Sequence, residues 1–341
     1  MLEFAQLVEL GKAVAKANKT APTAYSFNEQ NYSYDALQDT FRKEVNELAG
    51  DFNSFRRNAT VVYQLLEQIL DEVSPQRVMA KYGDFAEVKV VSQGQKPVFS
   101  RKTGKNRLKK NFVTRVGLAG IYEVGKLDKE SFDVPMGAIG GAVQIGLEEW
   151  LDGNVDFSEL LDTLLEGIDD AVYQEIALAF QTMVSNLGPY NKFSTNTFNE
   201  AKFDQLIGTA SAYGVPTIYC TFEFAGTVLP AEGWRSDAIM QERWDKGYVG
   251  TYKGHRIVVL PQSLTEDNSE KLIDPSWAYI FPGDAKPIKM AFEGQTIVDE
   301  FVNKDRSREV QVYKKFGIAA ITTPDLVAYQ NTSLVKSNAL N

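Results

Sequence analysis

The sequence contains a single cysteine and a single histidine in 341 residues. Cys220 therefore has no partner for a disulfide within the chain, and Cys220 with His255 cannot supply the set of cysteine and histidine ligands typical of structural zinc. Cys220 lies in an alternating, strand-like run, where we interpret it as a small buried apolar residue. A nucleophile pair of Cys220 and His255 is the alternative, because such pairs are recognised by geometry and not by spacing. The sequence predicts no metal and no cofactor.

Long hydrophobic runs are absent as well. Residues 1–19 are interrupted by Glu3, Glu9, Lys12 and Lys16, whereas a signal peptide has an unbroken apolar stretch. No run approaches the roughly 20 apolar residues that cross a bilayer as a helix. We expect a protein that has no membrane partner and is made and used in the cytoplasm.

Motifs for nucleotide binding and catalysis are missing. The chain has neither a Walker motif nor G-x-G-x-x-G, and the glycines of residues 137–142 have the wrong spacing for a nucleotide site. It also lacks G-x-S-x-G. The acid pairs Glu148-Glu149 and Asp169-Asp170 are sequence neighbours, which point apart on a helix and make poor catalytic dyads. We expect no catalytic and no cofactor-binding residues, although acid or lysine catalysis stays open from the sequence.

What the sequence does have is separated charge. The formal net charge is -9, from 36 basic and 45 acidic residues. Residues 88–122 contain nine Lys and Arg and no Asp or Glu, whereas residues 130–191 contain twelve Asp and Glu and no Lys or Arg. A dense patch of one sign repels itself and is most stable when it faces the other sign. The simplest partner is another copy of the same chain.

Two sets of candidate intersubunit contact residues follow from this pattern. The basic loop is the set Lys96, Arg101, Lys102, Lys105, Arg107, Lys109, Lys110 and Arg115. The acidic helix set is Glu159, Asp162, Glu166, Asp169, Asp170 and Glu175. A solvated face is the ordinary interpretation of a lone acidic helix, but the complementary basic loop favours a contact between the two sets.

Periodicity predicts helices in the first part of the chain, to about Gly83. A second helix is predicted over 59–73 and is expected to end at Pro75. Residues 20–34 are rich in Asn, Ser, Thr and Tyr, which indicates an extended arm that another surface must order. Strand-like runs at 87–91 and 111–116 predict a long two-stranded ribbon with a basic, projecting tip. The first helix is predicted from an apolar stripe of Leu2, Ala5, Leu7, Leu10 and Val14.

The strongest helix signal covers residues 156–187. Asp156 followed by Glu159 resembles a capping box, an apolar stripe runs from Leu161 to Met183, and a Gly-Pro pair at 188–189 ends the pattern. At 1.5 Å per residue this helix would be roughly 45 Å long.

A compact α/β segment is predicted after this helix. One helix, capped by Thr197 and Glu200, is expected to run to Ala212. Further elements are a helix at 236–246 and strands at 217–222, 256–260 and 277–281. Strands at 289–292 and 309–322 are expected to return to the first body.

In this order the elements resemble the major capsid proteins of tailed bacteriophages, a lambdoid-phage-type fold shared with encapsulins. The most specific pieces are the helix-to-strand passage 244–261 with Gly247, Gly250 and Gly254, and the ending 310–329, whose long strand leads to a Pro-Asp pair. The resemblance implies an α+β fold, the phage major capsid fold, with an N-terminal arm, an extended β-ribbon loop, a long spine helix, a peripheral domain and an α/β apical domain. The implied boundaries are 1–87 for the arm with its helices, 88–126 for the extended loop, 127–197 for the peripheral domain with the spine helix 156–187, 198–284 for the apical domain, and 285–341 for the return strands and C-terminal tail.

The resemblance also implies a structural, non-enzymatic protein that self-assembles into pentamers and hexamers of an icosahedral phage head around double-stranded DNA. The extended loop of one subunit would lie across the peripheral domain of the next, where the charge pattern also places it. Implied partners are further copies, possible portal, scaffolding and decoration proteins, and packaged DNA bound without specificity on the inner face. The implied location is the virion capsid, after assembly in the host cytoplasm. Some relatives join a loop lysine to an asparagine of a neighbour, but no motif here matches that reaction.

Three alternatives stay open at the level of sequence. An encapsulin-like compartment shell shares the fold but encloses cargo protein, and the long N-terminal arm favours the phage head. A nucleic-acid-binding protein could use the basic loop, but residues 88–122 offer only Phe99, Phe112 and Tyr122 for base stacking. An enzyme with an α/β core lacks a convergent catalytic set.

Overall fold

The computed structural model of the chain describes residues 3–17, 25–27, 30–50, 52–102, 129–145, 157–229, 236–265, 267–283, 285–302 and 308–338. The helices in these ranges are α1 (Phe4–Lys16), α2 (Tyr34–Ala49), α3 (Phe52–Tyr82), α4 (Phe157–Ser185), α5 (Glu200–Ser211), α6 (Phe222–Thr227) and α7 (Asp237–Lys246). The strands are β1 (Tyr25–Phe27), β2 (Gln30–Tyr32), β3 (Ala86–Val91), β4 (Val98–Lys102), β5 (Lys129–Asp133), β6 (Gly137–Ile145), β7 (Lys192–Thr195), β8 (Pro216–Cys220), β9 (Thr251–Tyr252), β10 (His255–Val259), β11 (Trp277–Pro282), β12 (Ile288–Val302), β13 (Arg308–Ala320) and β14 (Val327–Asn331).

Two sheets organise the described residues. The first has the strand order β3-β12-β13-β6, with β3 parallel to β12 and the other pairs antiparallel. α3 and α4 pack on this sheet, α1 and α2 pack on α3, and together they enclose the larger hydrophobic core. The second sheet has the order β7-β14-β11-β8-β10-β9 and carries a smaller core with α5 and α6. The predicted α+β fold class is confirmed.

α1 approaches α3 closely through a glycine. The stripe predicted for α1 is buried at Leu7, Leu10 and Val14, whereas Ala5 is exposed. At Gly11 an added Cβ would lie 2.3 Å from a side-chain atom of α3. That atom is Cδ1 of Ile69, so a larger residue at position 11 would force this buried side chain to shift.

The segment predicted as an extended arm contains a short hairpin followed by the start of a helix. β1 and β2 pair antiparallel, and Ser33 caps α2 by accepting a hydrogen bond from the amide of Ala36 at 3.3 Å. α2 itself was not predicted. Leu37, Phe41 and Val45 are its buried residues, and their spacing of four is the signal that could have revealed it.

The prediction that Pro75 ends its helix is wrong. α3 continues through Pro75 to Tyr82. A proline inside a helix removes one backbone hydrogen bond and costs about 3 kcal/mol or more. Leu70 and Val73 before it and Val78 after it are completely buried, and full burial of each such side chain contributes roughly 1.5–3 kcal/mol. Packing on both sides of the proline therefore outweighs the break.

Carboxylates of α3 hold the irregular part of β12. Asp71 accepts hydrogen bonds from the amide and the hydroxyl of Thr296 and pairs with the ammonium of Lys314. One turn earlier, Glu67 accepts from the amide of Val298 at 3.0 Å. Thr296 lies in the register shift of β12 between Glu293 and Ile297, where a bulged strand leaves amides unpaired, and Val298 follows just after it. α3 supplies the acceptors for those amides.

The pairing predicted for the ribbon lies partly outside the described residues. The strand predicted at 87–91 exists as β3, but it pairs in parallel with β12. Its predicted partner, 111–116, lies outside the described residues. The ribbon that the structure shows consists of β4 and β5, which pair antiparallel with Phe99 opposite Phe132. β3 joins the sheet because β12 offers it a long-range partner, which a local pattern does not reveal.

The root of the ribbon is anchored on the four-stranded sheet. Phe99 is completely buried, stacks on Phe132 with ring centroids 6.1 Å apart, and packs with Val134 and Ala291. The ammonium of Lys89 lies 4.3 Å from the centroid of the Phe99 ring. This cluster fixes the place from which the basic loop leaves the body.

The strands predicted at 217–222, 256–260 and 277–281 are confirmed as β8, β10 and β11. The cap of α5 is Asn199, whose side chain accepts from the amide of Lys202, and not the predicted Thr197. β7 and β14 pair in parallel inside the six-stranded sheet, although the sequence-based boundaries group them with the peripheral segments 127–197 and 285–341. β14 belongs to this sheet because it lies between β7 and β11, where most of its side chains are buried.

Replacing Asp71 with asparagine is expected to destabilise the fold by about 3 kcal/mol, because the nearly fully buried Lys314 loses its compensating charge. The matched control is Glu72→Gln. Glu72 is half exposed and pairs with Lys12 and Lys16, and such pairs contribute no more than about 1 kcal/mol. Urea unfolding followed by circular dichroism measures both variants. Equal losses would contradict the role given to Asp71.

Candidate functional site

α4 carries the acidic helix set and packs one side into the larger core. Its apolar stripe is buried from Leu161 to Met183, as predicted. The helix ends at Ser185, just before the predicted glycine-proline stop. α4 contacts α3, β6 and β13, and its remaining side is exposed to solvent. The acids are therefore sorted by the side of the helix that each one occupies.

Asp169 lies on the side of α4 that faces α3, and it forms ion pairs within its own chain. It is buried, and its Oδ2 lies 3.0 Å from Nη2 of Arg77 and 2.6 Å from Nζ of Lys81, both on α3. Burial, together with the charges of Asp169 and Asp170, raises the pKa of the neighbouring Tyr82 to about 12. Asp169 thus connects two helices of one subunit and is not available to another. In the sequence, Asp169 follows the apolar Leu165 by four residues and precedes Val172 by three. This helical spacing indicates that Asp169 lies on the buried side of the helix.

Asp162 is half-buried beside a groove between helices. The groove has a volume of about 680 Å³ and lies where α1 ends, between α3 and α4. Arg77, Glu166 and Lys16 are among its lining residues. Desolvation raises the pKa of Asp162, Arg77 opposes the rise and Glu166 adds to it. This acid therefore faces the groove that it lines.

Three acids of the set point outward. Glu166 and Asp170 lie one turn apart, and Glu175 lies on the other flank of the same exposed side. Leu178, also exposed, continues this surface toward the end of the helix. The side chain of Glu159 lies outside the part that the structure describes. The outward face of α4 therefore combines carboxylates with an apolar residue, as a surface for a basic partner would.

The basic loop is described only at its root. Lys96 is exposed, with Nζ 3.8 Å from the carboxylate of Asp133. Arg101 lies in β4 opposite Glu130, and Lys102 lies opposite a lysine of β5. Lys105, Arg107, Lys109, Lys110 and Arg115 fall outside the described residues. Among the described side chains, that of Lys96 does not lie against the acids of α4.

The residues considered for chemistry do not converge. Cys220 pairs with Val259 between β8 and β10, so His255, four residues along β10, is about 13 Å away at the usual strand rise. Burial raises the pKa of the Cys220 thiol above its ordinary range, which makes it a poor nucleophile. Within the described ranges, no group of three or more His, Cys, Asp or Glu could hold a metal ion. No helix there has the length and apolar content of a membrane span.

Comparison with known proteins gives a family match. The model of the family described as "SPbeta prophage-derived putative capsid protein YonB" matches residues 6–329. No curated protein matches the chain in sequence.

Solved structures show weaker similarity. The chain is similar to the capsid of a native GTA particle, with 12% identity over 74% of this chain and 90% of that chain and a TM-score of 0.49. It is similar to the head of Helicobacter pylori bacteriophage KHP40, with 12% identity over 73% and 91% and a TM-score of 0.48. A third is the SrpI encapsulin complex of Synechococcus elongatus PCC 7942, with 12% identity over 75% and 87% and a TM-score of 0.43. Identities this low carry no inference about function.

The two adjacent acids of α4 are expected to respond differently to the same substitution. Asp169→Asn should cost about 2 kcal/mol of stability, because Arg77 and Lys81 lose a charged acceptor. Asp170→Asn should change stability by less than about 0.5 kcal/mol, as exposed substitutions usually do. Urea unfolding of the two variants side by side measures the difference. A larger loss for Asp170→Asn would show that the assignment of inner and outer acids is reversed.

Proposed function

The chain belongs to the family of the SPbeta prophage-derived capsid protein YonB, and we propose that it forms the pentamers and hexamers of an icosahedral phage head around double-stranded DNA. Family membership makes it a structural capsid protein and not an enzyme, and its location is the virion capsid. The observation that carries the proposal is the extent of the match. Residues 6–329 include the first helices, the long helix α4 and both sheets.

The proposal assigns a role to each part of the fold. The four-stranded sheet with α3 and α4 is the peripheral domain, and the six-stranded sheet is the apical domain. Residues 1–87 form the arm with its helices, and residues 88–126 form the extended loop. β7 and β14 are exceptions to the boundaries drawn from sequence, because they cross from the peripheral segments into the apical sheet.

The proposed contact places the basic loop of one subunit on the outward face of α4 in the next. Its support is the opposite charge of the two surfaces and the outward position of Glu166, Asp170 and Glu175. Asp169 takes no part, because Arg77 and Lys81 of its own chain pair with it. Such a contact is head-to-tail, so it closes into rings or extends into a shell.

Charge in this contact is expected to set register more than affinity. An exposed ion pair contributes about 0.2–1 kcal/mol and is screened by salt. Apolar area buried elsewhere between subunits supplies most of the free energy of assembly. Assembly should therefore be sensitive to the sign of the loop charges and less sensitive to any single one.

The remaining partners belong to the proposal as well. A capsid that packages DNA meets a portal at one vertex and can use scaffolding and decoration proteins, and its inner face contacts DNA without sequence specificity. We also propose that assembly takes place in the host cytoplasm. An encapsulin-like shell differs in its contents, which would be protein.

Reversing Lys102, Lys105, Lys109 and Lys110 to glutamate is expected to leave a folded protein that forms no closed shells, because the reversed loop meets acids of the same sign. Electron microscopy and light scattering at low and high salt measure assembly, and circular dichroism checks the fold. Normal shells from this variant would refute the contact.

A charge swap provides the control. Reversing Glu166, Asp170 and Glu175 to lysine should also prevent assembly, and combining it with the reversed loop should restore shells, since the surfaces again have opposite signs. Failure of the combined variant, with both single sets folded, would place the loop on another surface. Purified wild-type particles that contain protein cargo and no DNA would overturn the packaging part of the proposal.

A further inference from the structure

α7 is a helix that buries none of its side chains. It runs from Asp237 to Lys246, begins at the cap Ser236 and ends at Gly247, which has a φ of 81°. Trp244 is 87% exposed and Met240, one turn earlier, is 44% exposed. A ten-residue helix is marginal in water without a packed apolar face.

The position of α7 is fixed by contacts at its C-terminal end. Glu242 accepts hydrogen bonds from the ammonium of Lys246 at 3.1 Å and from the amide of Gly250 at 3.3 Å. At Gly247 an added Cβ would lie 2.6 Å from the ring of Phe222, so this ring lies against the end of the helix. These contacts fix α7 so that its exposed side faces away from the sheet. We call Met240, Gln241 and Trp244 on that side the Trp244 face.

A largely apolar groove lies toward the other edge of the six-stranded sheet, away from the strand β9 that follows α7. It has a volume of about 690 Å³ and lies between the end of α4 and the edge strand β7. Among its lining residues are Val184, Pro189, Phe193 and Trp277. Lys192 at its rim is exposed and forms no ion pair with the residues that the structure describes.

The Trp244 face and the groove lie toward opposite edges of one sheet. α7 precedes β9, the strand at one edge, whereas the groove begins at β7, the strand at the other edge, and extends across β14 to β11. At a spacing of about 4.8 Å between strands, the edges are about 24 Å apart. A head-to-tail ring requires two different, complementary surfaces on opposite sides of each subunit. A protruding tryptophan and an apolar pocket are the kind of pair that contributes most at protein interfaces.

We propose that the Trp244 face of one copy of this chain docks in the groove of the next copy around a ring. The inference rests on the proposed assembly of the protein into pentamers and hexamers and names one contact between their subunits. Asp237 and Asp245 beside the Trp244 face are opposite in sign to Lys192 at the rim of the groove, whereas Arg243 and Lys246 of the same helix are not. Docking buries the indole and covers a side of the helix that one subunit alone leaves exposed.

Disulfide trapping tests this contact directly. The double variant Gln241→Cys with Ser194→Cys places one thiol beside Trp244 and one at the groove. The native Cys220 is completely buried and does not interfere. Mild oxidation of the assembled full-length protein is expected to give a ladder of dimers, trimers and larger species in denaturing gels, which reductant collapses. Each variant with one introduced cysteine is the control and should stop at dimers, because one accessible thiol per chain links only two chains.

Electron microscopy of the wild-type protein is done in parallel to keep two failures apart. If the wild-type protein forms neither rings nor shells, the proposed function is refuted, and so is the Trp244 contact that depends on it. Shells without a ladder in the double variant refute the Trp244 contact alone. Docking of another protein on this helix would give that second result.

Substitution of the tryptophan gives an independent readout. Trp244→Ala is expected to raise the protein concentration needed for assembly at least about ten-fold, the factor that corresponds to 1.4 kcal/mol. Trp244→Phe should recover part of the loss. Val215→Ala is the matched control, because Val215 is also strongly exposed but lies outside both surfaces. Equal assembly of the alanine variants at 244 and 215, with circular dichroism unchanged, would overturn the inference.

Discussion

The packing of α3 between the four-stranded sheet and α4 is the contact on which the rest of the structure depends. α3 touches α1, α2, α4, β3 and β12, so the core of the larger body forms around it. Its apolar side supplies the bulk of the free energy, at about 25 cal/mol per Å² of buried apolar surface. Its polar groups fix the register. Asp71 holds the bulge of β12, and Arg77 and Lys81 hold α4 through Asp169. Because these charges are wholly or partly buried, each one requires its partner in place.

This packing also decides which surfaces are left for other subunits. Turning α4 so that Asp169 faces α3 turns Glu166 and Asp170 outward. Burying Phe99 on the same sheet fixes where the basic loop leaves the body. α7, by contrast, lies at the far edge of the second sheet, where the ring of Phe222 lies against its end and the Trp244 face stays exposed. Each subunit is therefore well packed inside and incomplete at its edges, which suits a capsid protein.

The fold was predictable where the signal is local and failed where it is not. The long helix over 156–187 and the strands β8, β10 and β11 were predicted because amphipathic period and apolar runs reside in consecutive residues. Pro75 was misread because its cost is local, whereas the burial of Leu70 and Val78 that offsets it is tertiary. The pairing of β3 with β12 was not predicted, because β12 lies about two hundred residues later.

The candidate site shows the same division. Periodicity alone could have separated Asp169, which falls on the apolar stripe of α4, from Glu166 and Asp170. By itself the sequence determined the α+β class, the long acidic helix, the segregation of charge and the family. Only the tertiary structure decided which acids form ion pairs inside the subunit and where the basic loop leaves the body. It also decided that Trp244 and an apolar groove lie toward opposite edges of one sheet. The physical reason is that composition and period are properties of neighbouring residues, whereas exposure and pairing depend on what the rest of the chain packs against them.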